Sequence, residues 1–364
     1  MTAPRLEVDL AKVSHNARTL TGRLALRGIR VTGVTKALLG APPLAHALLE
    51  AGVAGLADAR IENIEAMRRD GIRAPITLLR SPMPSQAGRV VTHATTSCNT
   101  EVEVVALLSA AAAKRGVTHE ILLMVELGDL REGILPGDLP DAVAEVLRLP
   151  NVTLTGIGTN LACRSGVAPG VENMAELSTL ATLVEDRFDI ALARVSGGNS
   201  ANLRWALGDQ VVDAGPGRID DLRLGEAILL GREVLRRDPI EGLHLDAVTL
   251  VAEVIESKVK PTLPWGELGL DAFGDQPEPV VDRGDIAQTL VALGRQDVDP
   301  AGLVPPDGMR VIGSSSDHLV LDAGRILAPG TEVAFGVDYS ALVRAATSPF
   351  VTTTFPGAPA RPRR

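Results

Sequence analysis

At 364 residues the chain is too long for one ordinary small domain and suits a barrel of roughly 250 residues with an appendage of about a hundred. Hydrophobic residues make up 45% and aromatics only 2%, so Leu, Val, Ile and Ala must fill a sizeable core. The net charge of −9, with no long Lys/Arg run, argues against a nucleic-acid or anionic-membrane binder.

The opening MTAPRLEVDL has no basic stretch followed by an apolar one, so no secretory signal is expected. No apolar run approaches the ~18 residues of a membrane span. Two cysteines, Cys98 and Cys163, suit a reduced cytoplasmic protein, since a disulfide framework needs more.

In chain order, RLEVDL reads as a strand, followed by a helix with Val13, Ala17, Leu20 and Leu24 on one face. The strand RVTGVTK, helix PPLAHALLEAG, strand GLADA, helix IENIEAMRRDG and strand PITLL come next. Then follow strand THATTS, the long helix TEVEVVALLSAAAAKRG, strand HEILLMVEL, helix LPDAVAEVLRL and strand LTGIGT. Helix NMAELSTLATLVEDRF, strand ARVSG and the run DLRLGEAILLG complete the regular part. Strands alternating with helices of ten to fifteen residues signal βαβ units and a parallel sheet. Eight strand candidates counted from RVTGVTK point to a closed (β/α)8 TIM-type barrel, with an open doubly wound sheet as the alternative.

Beyond Leu235 proline, glycine and aspartate become frequent and helical periodicity fades. AVTLVAEVIES, TLVALG, HLVLD and EVAFG read as strands of a smaller mainly-β domain. The expected division is a barrel over 1–235, a C-terminal mainly-β domain over 236–355 and a disordered tail over 356–364.

Barrel enzymes carry their functional groups at the C-terminal ends of the strands. Those positions hold Lys36, Arg80, Asn99, Arg131, Asn160, Ser200 and Arg223, a rim able to bind an anionic, hydrogen-bonding ligand. The apolar neighbours of Lys36 in GVTKALLG can desolvate its ammonium and make the amine nucleophilic toward an aldehyde. Taken alone, GVTKALLG fits a solvated or salt-bridged lysine at a strand end better than a nucleophile. It is not a P-loop, because the lysine precedes the second glycine. SGGNSAN and LRLGEAI follow the last two barrel strands, where barrels often bind phosphate; SGGNS alone could be a mere turn.

Together these motifs resemble the alanine racemase-like, fold-type III pyridoxal-phosphate enzymes, and most of all their ornithine racemase branch. The resemblance runs from about Leu6 to Val351 through GVTKALLG, LLRSPM, LMVELGDLREGI, GIGTNLAC, SGGNSANL, LRLGEAILLG, KPTLPWGELGLDAFG, LGRQDV and SSDHLVLD. It implies Lys36 as the lysine that carries pyridoxal 5'-phosphate. It implies Ser200, Gly225 and the backbone of Glu226 at the phosphate, and Arg223 at the pyridine nitrogen. Arg131 would reach the cofactor's phenolic oxygen and the substrate carboxylate, and Asn160 takes the place of a cofactor-side histidine. A guanidinium only donates hydrogen bonds, so Arg223 would keep the ring nitrogen unprotonated and favour reprotonation at Cα over transamination. Without the family, Arg223 could equally pair with Asp220 or Asp221 at the surface.

The chain departs from the alanine racemase pattern at several points. GRQDV places Arg295 where a tyrosine from the partner subunit usually acts as second acid/base, and Gly40 replaces the tyrosine four residues after the lysine. The only tyrosine, Tyr339, matches a structural position. Candidates for the second base are Asp297, Asp317, His318 and Cys163, with the Asp317–His318 pair preferred. The six histidines are scattered and no HxH, HxxxH or CxxC spacing occurs, so no metal is expected. The acidic segment holding Glu267, Asp271 and Asp275 can receive a cationic side chain or simply be solvated.

The expected function is amino-acid racemisation by two-base proton transfer on a basic substrate such as ornithine. The alternatives are Cα–Cβ cleavage or elimination on a D-amino acid by an aldolase or dehydratase, or a non-catalytic cofactor-binding homeostasis protein. The extra domain favours an enzyme, because it can cover the barrel mouth and exclude water. A homodimer is expected, since the barrel rim offers no clear second base.

Overall fold

In a computed structural model, residues 2–208, 211, 215–270, 273–274 and 281–357 are described. Eight strands form a closed parallel barrel: β2 (Arg30–Val34), β3 (Gly55–Asp58), β4 (Ile76–Leu78), β5 (Thr96–Asn99), β6 (His119–Met124), β7 (Val152–Gly158), β8 (Arg194–Gly198) and β9 (Asp221–Leu224). Closure comes from β9, whose Leu222 and Arg223 stand beside Val31 and Thr32 of β2. The closed barrel excludes the open doubly wound sheet. Strands β3, β4, β5 and β9 are buried at every residue, as strands covered on both faces must be.

The helical periodicity translates directly into packing. In α1 (Leu10–Ala25) the predicted face of Val13, Ala17, Leu20 and Leu24 is fully buried. THATTS splits differently from expectation: its first two residues finish α2 (Ala87–His93), and β5 begins only at Thr96. A two-residue connection too short for the full turn signal hides that boundary.

The barrel unit spans Leu10–Leu245, while Met1–Asp9 groups with Asp246–Arg364. The division therefore falls after Leu245 rather than Leu235, and the first strand leaves the barrel domain. β1 (Arg5–Val8) pairs antiparallel with β10 (Val248–Pro261) and parallel with β16 (Thr352–Thr354). Leu6 and Val8 alternate into a buried face there; such alternation specifies a strand but not its partner. The remaining strands of this unit are β11 (Asp285–Val291), β12 (Leu303–Val304), β13 (Arg310–Ser314), β14 (Leu319–Asp322) and β15 (Glu332–Val337). They complete an antiparallel sheet in the order β12-β15-β10-β11-β14-β13. A helix, Tyr339–Thr347, interrupts it; Asp338 caps its start by accepting the Ala341 N–H. The expected tail lies outside the described residues from 358 onward.

The barrel strands also carry buried polar side chains. Thr32, Thr96, Ser97, Asn99, His119, Ser196 and Asp221 are each at most 4% exposed. His119 Nε2 meets Ser97 Oγ at 2.9 Å, and Asn99 Nδ2 donates to the same hydroxyl at 2.9 Å. Burial holds the His119 imidazole down at about 4, so it is neutral in the folded protein and gains a proton on unfolding below about 6.5. The unfolded state then binds more protons between those values, and stability falls as pH drops through that window, by up to about 3 kcal/mol. Urea titrations at stepped pH should show this slope, and His119→Gln should flatten it.

Candidate active site

The C-terminal ends of the barrel strands bring the expected residues to one rim. Lys36 follows β2 directly and opens a single 3-10 turn, Lys36–Leu38. Its side chain is exposed, while Ala37 and Leu38 are themselves buried, so these neighbours do not desolvate the ammonium as expected. The salt-bridged alternative is not realised either, because no carboxylate pairs with Lys36 among the described residues. The turn is anchored next door: Thr35 Oγ1 donates to Asp58 Oδ2 at 2.7 Å, and Asn63 Nδ2 donates to Asp58 Oδ1 at 2.9 Å. Asp58 is fully buried at the end of β3, and burial pushes its carboxyl above the usual range. Gly40 has a reason to replace a larger residue. Its φ is +67°, and a Cβ there would lie 2.7 Å from Asn63 Cβ, so the side chain that holds Asp58 occupies the space.

SGGNSAN is more than a turn. Asn199 and Asn202 cap the 3-10 turn Ser200–Asn202 reciprocally. Asn199 Oδ1 accepts the Ala201 N–H at 2.7 Å, and Asn202 Oδ1 accepts the Asn199 N–H at 3.0 Å. Gly198 permits this at φ +138°, where a Cβ would collide with Asn202 Oδ1. Buried Ser200 then meets the loop after β9: the Gly225 and Ala227 N–H groups donate to its Oγ at 3.4 and 3.2 Å. Glu226 is the first residue of the short helix Glu226–Leu230. Gly225 packs so closely on the strand carrying Lys36 that a Cβ would sit 3.0 Å from Val34 Cβ.

Arg223 lies in the lumen at 5% exposure. Its Nη2 donates to the Thr159 carbonyl at 2.7 Å and its Nη1 to Ser196 Oγ. The surface pairing considered for it is thus absent, and Arg30 takes Asp220 instead at 2.8 Å. Asn160 Oδ1 accepts from Asn199 Nδ2 at 3.1 Å, while its own Nδ2 is buried without a partner. Asn199 Nδ2 also reaches the Leu161 carbonyl at 2.8 Å and Cys163 Sγ at 3.3 Å. Arg80 is exposed beyond β4.

Arg131 sits on the loop after β6 and is exposed, with Nη2 donating to Glu132 Oε1 at 2.6 Å. That loop is tied to the loop after β7 by a residue the sequence reading passed over. Asp129, fully buried, accepts the N–H groups of Cys163, Arg164 and Ser165 at 3.2, 2.9 and 3.0 Å. Ser165 Oγ returns a bond to the Asp129 carbonyl at 2.7 Å. ELGDLREG carries no spacing that singles out this aspartate; only a contact across more than thirty residues reveals it.

Residues 8–232 match the family model described as alanine racemase, N-terminal domain. Two curated relatives align over almost their whole length. A lysine racemase of Thermotoga maritima is 37% identical over 98% of this chain and 99% of its own. An ornithine racemase of Acetoanaerobium sticklandii is 33% identical over 96% and 98%. The chain belongs to the alanine racemase family of fold-type III pyridoxal-phosphate enzymes. With membership come the cofactor, pyridoxal phosphate, and the reaction class, amino-acid racemisation. Among solved structures, alanine racemase from Streptomyces coelicolor A3(2) superposes with a TM-score of 0.75 at 20% identity, over 97% of this chain and 98% of that one. D-threonine aldolase from Filomicrobium marinum shares the fold with a TM-score of 0.72 at 18% identity, over 94% and 88%.

The rim of this family member fits the cofactor chemically. Two backbone N–H groups converge on the Ser200 hydroxyl, and a phosphate oxygen offers them the same acceptor chemistry. A buried guanidinium and the unpartnered Asn160 amide supply further donors.

The second-base candidates of this racemase are dispersed. Cys163 belongs to the barrel rim, whereas Asp297, Asp317 and His318 lie in the other unit. Asp297 is committed to structure, accepting the Gly294 N–H at 3.1 Å and Ser348 Oγ at 3.0 Å. GRQDV and SSDH, separate in sequence, pair here: the Arg295 and Gln296 N–H groups donate to the Ser315 and Ser316 carbonyls. Gly294 makes the approach possible, since a Cβ there would strike the Ser316 backbone. Asp317 and His318 are both exposed but not bonded to each other. Asp317 accepts from Gln296 Nε2 at 3.1 Å and Ser316 Oγ at 2.7 Å, and His318 Nδ1 faces Ser315 Oγ at 3.5 Å. Arg295 stacks 4.2 Å from the Phe273 ring centroid. Glu267 is exposed; Asp271 and Asp275 lie outside the described residues.

Replacing Asp129 with Ala should release the loops after β6 and β7 together. Hydrogen–deuterium exchange should then rise at Cys163, Arg164 and Ser165, while the barrel strands keep their protection.

Proposed function

We propose that this racemase inverts a basic amino acid such as ornithine or lysine. The observation that carries the reading is near-full-length similarity to a lysine and an ornithine racemase. The curated alanine racemase of Desulfovibrio desulfuricans, by contrast, aligns with 52% of the chain at 27% identity. The aldolase relative shares the fold alone, so cleavage of a D-amino acid has no comparable support.

Bound pyridoxal phosphate supplies an aldehyde for an amine and a conjugated ring that delocalises negative charge from Cα. Lys36, accessible at the end of β2, is the amine assigned to hold it and to move the Cα proton on one face. Ser200 and the backbone of Gly225 and Glu226 bind the phosphate, Arg223 donates to the ring nitrogen, and Asn160 offers its unused amide to the cofactor. Arg131, swinging from Glu132, receives the substrate carboxylate. A single base tends to return the proton it took, whereas a second on the opposite face allows inversion. The Asp317–His318 region is assigned that role, because its exposed imidazole can both accept and donate a proton. Each such group typically contributes about 10²–10⁴-fold.

We further propose a cytoplasmic homodimer. Two free cysteines suit a reducing compartment, and no helix among the described residues is long and apolar enough to cross a membrane. Sedimentation should give a dimer at working concentration, and a fully active monomer contradicts that state; cell fractionation tests the compartment.

Borohydride reduction of the protein with its cofactor should fix the adduct on Lys36, located by mass spectrometry, and Lys36→Ala should abolish it. An adduct on another lysine removes Lys36 from its role. Proton NMR in D2O should show Cα exchange with appearance of the opposite enantiomer for ornithine and lysine, faster than for alanine or serine. Exchange without inversion overturns racemisation, and alanine outrunning ornithine overturns the basic substrate. His318→Ala should slow inversion while leaving cofactor binding intact; unchanged inversion transfers the second-base role to Cys163.

A further inference from the structure

Arg223 is a charge placed inside the barrel at 5% exposure, and among the described residues no carboxylate touches it. A buried cation needs an answering charge, and here that charge is one hydroxyl away. Arg223 Nη1 donates to Ser196 Oγ. Ser196 has a single hydroxyl proton and sends it to Asp221 Oδ2 at 2.5 Å. Thr32 Oγ1 donates to Asp221 Oδ1 at 2.6 Å, so both carboxylate oxygens accept and the direction of the chain is determined. The run is guanidinium, hydroxyl, carboxylate, with Ser196 and Asp221 at 0% and 2% exposure.

The backbone is shaped for this. Ser196 stands directly opposite Asp221, and a register shift between Ser196 and Gly198 follows at once. Asp221 and Arg223 are two apart on β9 and share a face, as alternate strand residues do. With Nη1 and Nη2 each committed inward, to Ser196 and to the Thr159 carbonyl, the guanidinium cannot rotate without breaking a buried bond.

We propose that Asp221 is a positioning residue for the cofactor. Acting through Ser196, it locks Arg223 in the orientation that presents a donor to the ring nitrogen and offsets the guanidinium's charge. This rests on the reading that Arg223 meets that nitrogen, and it gives a role to two buried residues whose bonds run to Arg223 and Thr32. Ser196 matters for its one proton: it must accept from arginine and donate to aspartate simultaneously.

The test uses the holoenzyme of wild type, Asp221→Asn, Ser196→Ala and the double variant. The readouts are the pH dependence of the bound cofactor's visible absorbance and its release rate on dilution. Each single variant should shift the absorbance midpoint by about one unit and speed release by about tenfold, the lower end of what losing an outer-shell partner costs. The double variant should match either single one, because both break the same chain. Should Asp221→Asn fail to fold, Ser196→Ala, which deletes one oxygen, carries the same expectation. Both readouts within twofold of wild type, or additive effects, overturn the relay while leaving the racemase reading intact. A wild type with no visible cofactor band overturns that reading and the relay with it.

Discussion

The seam at which β9 pairs with β2 is the constraint on which the site depends. A parallel strand exposes its edge until something pairs with it, and here the last barrel strand satisfies the first. Closing the sheet brings Arg223 beside Thr32, and sets Gly225 close against Val34, two residues before Lys36. Nearly two hundred residues of chain separate these groups, yet one ladder of backbone hydrogen bonds holds them together. Lys36 and the loop after β9 are thus neighbours by closure rather than by local sequence.

Behind that rim the buried polar groups of the barrel strands are organised by hydrogen-bond accounting. A polar group removed from water must find a partner or cost free energy. Asp221 serves Thr32 and Ser196, Asp58 serves Thr35 and Asn63, and Ser97 serves His119 and Asn99. Asn160 Nδ2 and Asn99 Oδ1 depart from the pattern, buried without partners at or beside the strand ends. Unpartnered groups there are what a site built for a polar ligand leaves behind. Above the lumen, Asp129 and Asn199 stitch the loops after β6, β7 and β8 to one another. Loops so joined hold side chains more precisely than free loops do.

The second unit works by the same logic on an antiparallel sheet. Its central strand β10 binds β1, β11 and β15, so the chain's start is captured by a strand some 240 residues later. The Gly294 approach presses GRQDV onto the SSDH turn, and Asp297 is spent bracing it. That leaves Asp317 and His318 exposed at the surface, whereas Asp297 is buried.

Periodicity and motif order in the chain by themselves determined the barrel, the buried face of α1 and the family. Lys36, Ser200 and Arg223 were legible as strand-end residues on one rim, because a barrel converts chain order into position; Gly225 and Glu226 entered through the LRLGEAI motif and the family resemblance it carries. Only the tertiary structure decided where β1 belongs, since alternating Leu6 and Val8 specify a buried face but not a partner. Only it showed that Lys36 is exposed and that Asp317 and His318 do not bond each other. Asp58, Asp129 and Asn199 escaped notice, and Asp221 was read only as a surface partner for Arg223, for one physical reason. Their work is done through single hydrogen bonds to residues distant in sequence, or through local caps with no repeat, and neither imposes a pattern on neighbouring positions. Apolar burial repeats along an element and can be read from its period; a polar contact is made once, and folding alone selects its partner.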